Sequence, residues 1–146
     1  MENILSIQQI AEASNLSRTQ IDQWISRGHF KPKHSPETGK ARTFTIEDAM
    51  TLGALAELAR IGIQPTVASM HVDHLHTLAD ETALLVVTQG PMKPDLANDP
   101  ENFATRGRIV TPMDLPKIAA DPLVRSMAVV NLSEVEKRVL AVAETA

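Results

Sequence analysis

Six Lys and Arg residues, Arg18, Arg27, Lys31, Lys33, Lys40 and Arg42, fall within residues 15–44 against two acids, Asp22 and Glu37. Thr19, Gln20 and Gln23 stand among the first of them. Arg and Gln carry the donor and acceptor pairs that match guanine and adenine edges, and Lys and Arg neutralise phosphates. Residues 45–146 hold eight Lys and Arg against fourteen acids, and the whole chain has a formal net charge of −4. A local cationic stretch on an acidic body still attracts a polyanion, because binding follows the local field rather than the total.

The elements that must position these groups follow from caps and periodicity. Ser6 and Gln9 have capping-box spacing, and Ile7, Ile10 and Ala11 repeat at helical intervals up to Ser14-Asn15. Ser17 and Gln20 repeat the signal and open a second helix to about Arg27, with Gly28 just beyond it. Leu16, Ile21, Trp24 and Ile25 form its inner stripe, so Trp24 is expected in the core. Arg18, Thr19, Gln20, Gln23 and Arg27 fall largely outside that stripe. Asp22 is four residues from Arg18 and is expected to pair with it, the alternative being acceptance from a cytosine amino group. Two short helices joined by a tight turn, the second polar outside, make a helix-turn-helix candidate.

Residues 29–44 predict a hairpin, with Phe30 and Phe44 as apolar bookends and the turn-rich tip His34-Ser35-Pro36-Glu37-Thr38-Gly39. Its arms carry Lys31, Lys33, Lys40 and Arg42, a basic ribbon suited to phosphates beside a groove. Thr45 and Asp48 cap a third helix, Ile46 to Ile61, whose few polar residues predict burial on more than one face. Gly62 ends it, and Pro65 opens a fourth helix to about Leu78.

In the second half, Ala83 to Thr88, Arg108 to Thr111 and Met127 to Asn131 are strand candidates. Residues 89–107 predict a long Pro- and Gly-rich loop, with a helical turn or two over Leu115 to Ala120. Ser133 and Glu136 have capping-box spacing before a final helix with Val135, Val139, Leu140 and Val142 available for packing.

The 146 residues amount to about one domain, or two lobes of roughly 70 residues. Three Phe, one Trp and no Tyr leave few rings for stacking single-stranded bases. Zero cysteines exclude disulfides, thiolate metal sites, iron–sulfur clusters and a Cys nucleophile. No apolar stretch approaches the roughly 20 residues of a membrane span, so a cytoplasmic protein without membrane partner is expected. His71, Asp73, His74 and His76 invite a metal, but His76 is rotated away from the face that His71 and His74 share. A polar helix end is the better reading, and no metal or other cofactor is expected. No nucleophile, acid–base pair or phosphate cradle has a recognisable frame, so no catalytic residues are assigned.

The order of these elements resembles the winged helix-turn-helix domain of the mercury-resistance-regulator (MerR) superfamily over about residues 4–70. Ser6-Ile7-Gln8-Gln9-Ile10-Ala11 is similar to the family's first helix and Asn15-Leu16-Ser17 to its turn. Trp24 and Gly28 match its aromatic residue and its glycine before the wing. Arg42-Thr43-Phe44-Thr45 is similar to the end of the wing, and Ile61-Gly62-Ile63 to the Gly after the third helix. The resemblance implies a dimeric transcription regulator, with base readout by the second helix and phosphate clamping by the wing. Asp22 stands where the family often has Arg, and the long dimerisation coiled coil expected after the fourth helix is not visible.

The expected fold class is α+β: a winged helix-turn-helix DNA-binding domain over residues 1–80, then a small α/β dimerisation or effector lobe over 81–146. The expected partner is double-stranded DNA, bound by a homodimer. Arg18, Thr19, Gln20 and Gln23 would read bases; Ser17, Arg27, Lys31, Lys33, Lys40 and Arg42 would hold phosphates. The C-terminal lobe would offer a surface to RNA polymerase or another protein. Two alternatives stay open. One is an architectural, excisionase-like DNA-bending factor; the other, motivated by Asp22 and the acidic second half, is a protein-interaction adaptor that has lost DNA binding.

Overall fold

The computed structural model describes residues 4–144. The chain divides into two compact units, one of residues up to Leu75 together with those from Glu134 onward, the other His76–Ser133. The final helix from Glu134 therefore belongs with the N-terminal elements, whereas the sequence division at residue 80 assigns it to the second lobe. Helices with strands confined to the second unit make the fold α+β.

In the first unit, α1 (Ile7–Ser14) and α2 (Arg18–Ser26) are each opened by a complete capping box, Ser6 with Gln9 and Ser17 with Gln20. Asn15 ends α1 in the left-handed conformation at φ 54°, turning the chain within two residues into α2. Helix α3 (Ile46–Arg60) begins at Thr45 with Asp48 completing its capping box. It buries nine residues, including Leu52, Leu55 and Leu58, and is the spine of this unit as its composition predicts. At Gly53 an added Cβ would lie 2.7 Å from Val135 Cγ1, so the glycine lets another helix pack closely on α3.

Beyond Gly62 the structure departs from expectation. The fourth helix stops after one turn, α4 (Pro65–Ala68), and gives way to a tighter 3₁₀ turn, Ser69–His71. A four-residue helix without a side-chain cap has little cooperative stability of its own. Tertiary contact ends it: Val72 is buried and its carbonyl accepts the Thr51 hydroxyl of α3 at 3.1 Å. His74, expected one turn after His71 on a shared helical face, instead has φ 55°.

The second unit is a three-stranded antiparallel sheet of β1 (Leu84–Pro91), β2 (Phe103–Val110) and β3 (Ser126–Asn131), in the order β2-β1-β3. The predicted loop over 89–107 is much shorter, because β1 continues through Pro91 and β2 starts at Phe103. Residues 92–102 connect them through two 3₁₀ turns, Pro94–Leu96 and Pro100–Asn102. Gly90 and Gly107 look like loop signals, yet both sit inside paired strands, opposite Ala104 and Val87.

On one face of the sheet, Leu84, Val86 and Val110 pack under Ile118 of α5 (Leu115–Ala119). Just before α5, the backbone N–H of Thr111 and then its hydroxyl donate to Asp114, holding that carboxyl below its usual range. The last helix, α6 (Leu132–Glu144), begins one residue before Ser133. Ser133 is therefore not its cap; its hydroxyl oxygen accepts the N–H of Ala83 at 2.9 Å. Val135 and Val139 of α6 are buried, while Leu140 stays exposed.

Candidate nucleic-acid interface

Helix α2 is two-faced because its apolar residues recur at helical spacing. Ile21 and Trp24 are buried, and Arg18, Thr19, Gln20, Asp22, Gln23 and Arg27 are all exposed. The base-readout candidates thus share the outward surface of one helix. The expected ion pair between Arg18 and Asp22 is absent among the described residues. Two exposed, flexible side chains gain little by pairing in water.

Gln20 has a second duty. Its Oε1 accepts the N–H of Ser17 at 3.2 Å and the Ser17 hydroxyl at 3.3 Å, while Ser17 Oγ accepts the Gln20 N–H at 3.1 Å. The amide carbonyl is committed to the cap, which leaves the NH₂ group with its two donors. Ser17, expected at a phosphate, is likewise engaged at the first turn of the helix.

The orientation of α2 is held from α3. Arg60 donates through Nη2 to the carbonyls of Ser14 and, at 3.1 Å, Asn15, which form the turn between α1 and α2. Its Nη1 pairs with Glu57, which also accepts from Arg138 at 2.9 Å. Sequence reasoning missed this clamp. Its only signal is a charged pair, Glu57 and Arg60, near the end of an otherwise apolar helix.

The chain leaves α2 through Gly28 at φ 78°, and the N–H groups of His29 and Phe30 both return to the Trp24 carbonyl, at 2.8 and 3.2 Å. Phe30 and Phe44 are fully buried with rings stacked at 6.2 Å and 14°. Burying two such side chains contributes about 1.5–3 kcal/mol each and closes the basic segment at its base.

Between those rings the predicted hairpin is not a β-ribbon. Among the described residues, 31–43 form no strand ladder; Phe44 instead bridges to Leu5, with N–H to carbonyl distances of 2.8 and 2.9 Å. Pro32 and Pro36 lack the N–H a ladder needs. The N–H of Lys33 goes to Asp48 at 3.1 Å, and that of Lys40 to the Glu37 carbonyl at 3.1 Å.

This basic loop keeps Lys31, Lys33 and Lys40 exposed. Lys40 also pairs with Glu37 at 3.0 Å, both largely in solvent. Arg42 is half-buried, and its Nη1 donates to the His34 carbonyl at 3.5 Å across the loop. Lys31 and Lys33 border a polar cleft of about 600 Å³ whose lining also carries Glu47, Asp48, Asp73 and His74. That cleft mixes both signs. Among the described residues, no three His, Asp or Glu groups come together to hold a metal. His71 is held below its ordinary value of 6.5 by partial burial. No helix among them is long and apolar enough to cross a membrane.

Two short helices joined at a left-handed Asn, the second polar outside and apolar inside, define a helix-turn-helix domain. The family model described as MerR HTH family regulatory protein matches residues 5–75, and this segment belongs to that family. The family is one of DNA-binding regulators, which gives the first unit its function class. No family model covers the C-terminal half. No curated protein matches the chain.

Proposed function

We propose that the protein is a sequence-specific transcription regulator that binds double-stranded DNA as a homodimer. One observation carries this reading: α2 presents Arg18, Thr19, Gln23 and the NH₂ of Gln20 on one exposed face, and the chain leaving it is the basic loop. In this arrangement α2 lies in the major groove with those residues at base edges. Arg27, Lys31, Lys33, Lys40 and Arg42 line the flanking backbone in the position of a wing, although the loop has no β-ribbon. Ser17 caps the opposite, N-terminal end of the helix and adds a hydroxyl for a phosphate there.

A homodimer doubles a modest cationic surface and reads two half-sites about one helical turn, roughly 34 Å, apart. The boundary of the DNA-binding domain falls near residue 80 in this proposal. Residues beyond it supply dimerisation, a surface for RNA polymerase, or both.

The decisive experiment is a mobility-shift assay with genomic fragments against competitor DNA at two salt concentrations. The regulator prefers its site by about a thousandfold or more and loses affinity as salt rises. Binding that bends DNA with little base preference would mean an architectural factor instead, and no retention even at low salt would end the DNA reading.

A further inference from the structure

The second unit contains a concave site that DNA binding does not use. Arg106 and Arg108 are two residues apart on β2 and so project from the same face of the sheet. Together with Lys117 of α5 they line a cavity of about 280 Å³. These are three of the five Lys and Arg residues between His76 and Ser133, in a segment with seven Asp and Glu. None of the three makes an ion pair within 4.0 Å among the described residues, although Arg108 and Lys117 lie near enough to Asp114, outside the lining, to help hold its carboxyl below the usual range. The one acid in the lining, Asp121, has its Oδ1 occupied by the N–H of Leu123 at 2.9 Å.

Much of the remaining lining is apolar. Ile118, Leu123, Val124 and Pro91 supply it. At Gly90 an added Cβ would lie 1.8 Å from the Leu123 carbonyl oxygen, so only glycine lets the segment between α5 and β3 approach β1 this closely. The same segment is latched to β1 by the Arg125 N–H, which donates to the Gln89 carbonyl at 2.8 Å. The cavity is therefore part of the packed unit.

We propose that this cavity binds a small organic anion, a carboxylate or phosphate monoester with a short apolar body. The guanidinium groups of Arg106 and Arg108 grip the anionic head in their fork geometry and Lys117 adds a third positive charge. The apolar body lies against Ile118, Leu123 and Val124. The volume, at the lower end for small-molecule sites, limits the ligand to a compact one. A DNA backbone fits less well, since it is met by cations spread along a track, whereas these three converge on one concavity beside apolar side chains. The proposal does not depend on the reading of α2.

The test uses the full-length ¹⁵N-labelled protein without DNA, titrated with phenyl phosphate, with benzoate and with neutral benzamide. The expected result is saturable shifts of the Thr88, Arg106, Arg108, Lys117 and Val124 amides with either anion and none with benzamide. Arg106→Ala and Arg108→Ala each weaken anion binding by about tenfold or more, and Lys93→Ala, in the β1–β2 connection outside the cavity lining, leaves it unchanged. Arg106→Gln and Arg108→Gln repeat the measurement with a polar stem retained, and unchanged resonances elsewhere report an intact fold. The proposal is overturned by absence of saturable shifts, by equal response to benzamide, or by full affinity in both Arg variants. Competition by duplex DNA through these same arginines overturns it as well, because the site would then serve the phosphodiester backbone.

Discussion

The carboxylate of Asp48 accepts the backbone N–H of Lys33 at 3.1 Å and, through Oδ2, the N–H of Thr45 at 2.9 Å. One buried side chain thereby caps α3 and tethers the start of the basic loop. The position of the Lys31–Lys33 segment is thus coupled to the spine of its own unit. Asp48→Ala leaves both N–H groups without this acceptor, and the expected destabilisation is about 1–3 kcal/mol by chemical denaturation. The variant should also bind cognate and random DNA more weakly by similar factors. Undiminished stability would show that water replaces the carboxylate at no cost.

Gln20 and Gln23 should separate in function. With its carbonyl committed to Ser17, Gln20 keeps only donors, so it suits acceptor edges such as guanine O6 and N7 rather than a bidentate pairing with adenine. Gln20→Ala is expected to lower stability by about 0.5–2 kcal/mol through the cap, in addition to any loss at a base. Gln23→Ala should leave stability unchanged and cost about 1–3 kcal/mol at one base pair. Parallel melting and binding-site selection distinguish the two, and equal losses of Gln23→Ala on cognate and random DNA would remove it from the readout set.

Arg42 is the cation most restrained by the loop, and its guanidinium already reaches the His34 carbonyl. Arg42→Ala should weaken binding to all sequences and reduce the slope of log affinity against log salt by about one. An unchanged slope in fluorescence anisotropy would place Arg42 away from the phosphates.

Gly90→Ala tests the close approach of the α5–β3 segment to β1. Its Cβ would overlap the Leu123 carbonyl oxygen, a backbone atom that moves only with its segment. The expected cost is about 1–3 kcal/mol in denaturant unfolding, without an effect on DNA binding by the first unit. Wild-type stability would mean that the segment yields freely.

His71 supplies a pH dependence. Burial lowers its pKa below 6.5, so the folded state binds fewer protons there than the unfolded chain. Its contribution is present above 6.5 and is lost as pH falls below that value. Thermal unfolding should show a fall in midpoint on acidification through this range that His71→Gln reduces. An identical fall in the variant would assign the effect to other groups.

Much of the first unit was legible because its signals are local. Ser6 with Gln9, Ser17 with Gln20 and Thr45 with Asp48 announce three helix starts, and the Ile21–Trp24 spacing sorts α2 into an inner and an outer face. Capping and amphipathic periodicity act within one or two turns, so they can be recognised without knowing the rest of the fold. The Phe30 and Phe44 bookends also meet as expected.

Other features depended on partners far along the chain. The amino-acid order alone determined the helix-turn-helix, the outward set on α2 and the concentration of positive charge after it. Tertiary structure decided that residues 31–43 form a tethered loop, because Lys33 bonds to Asp48 and Phe44 to Leu5. It also decided that α4 stops where Thr51 meets Val72, and that Gly90 and Gly107 lie within strands. It brought Arg106, Arg108 and Lys117 to one cavity. Long-range hydrogen bonds and close packing reward particular pairs of distant residues, and no local pattern encodes which pair will meet.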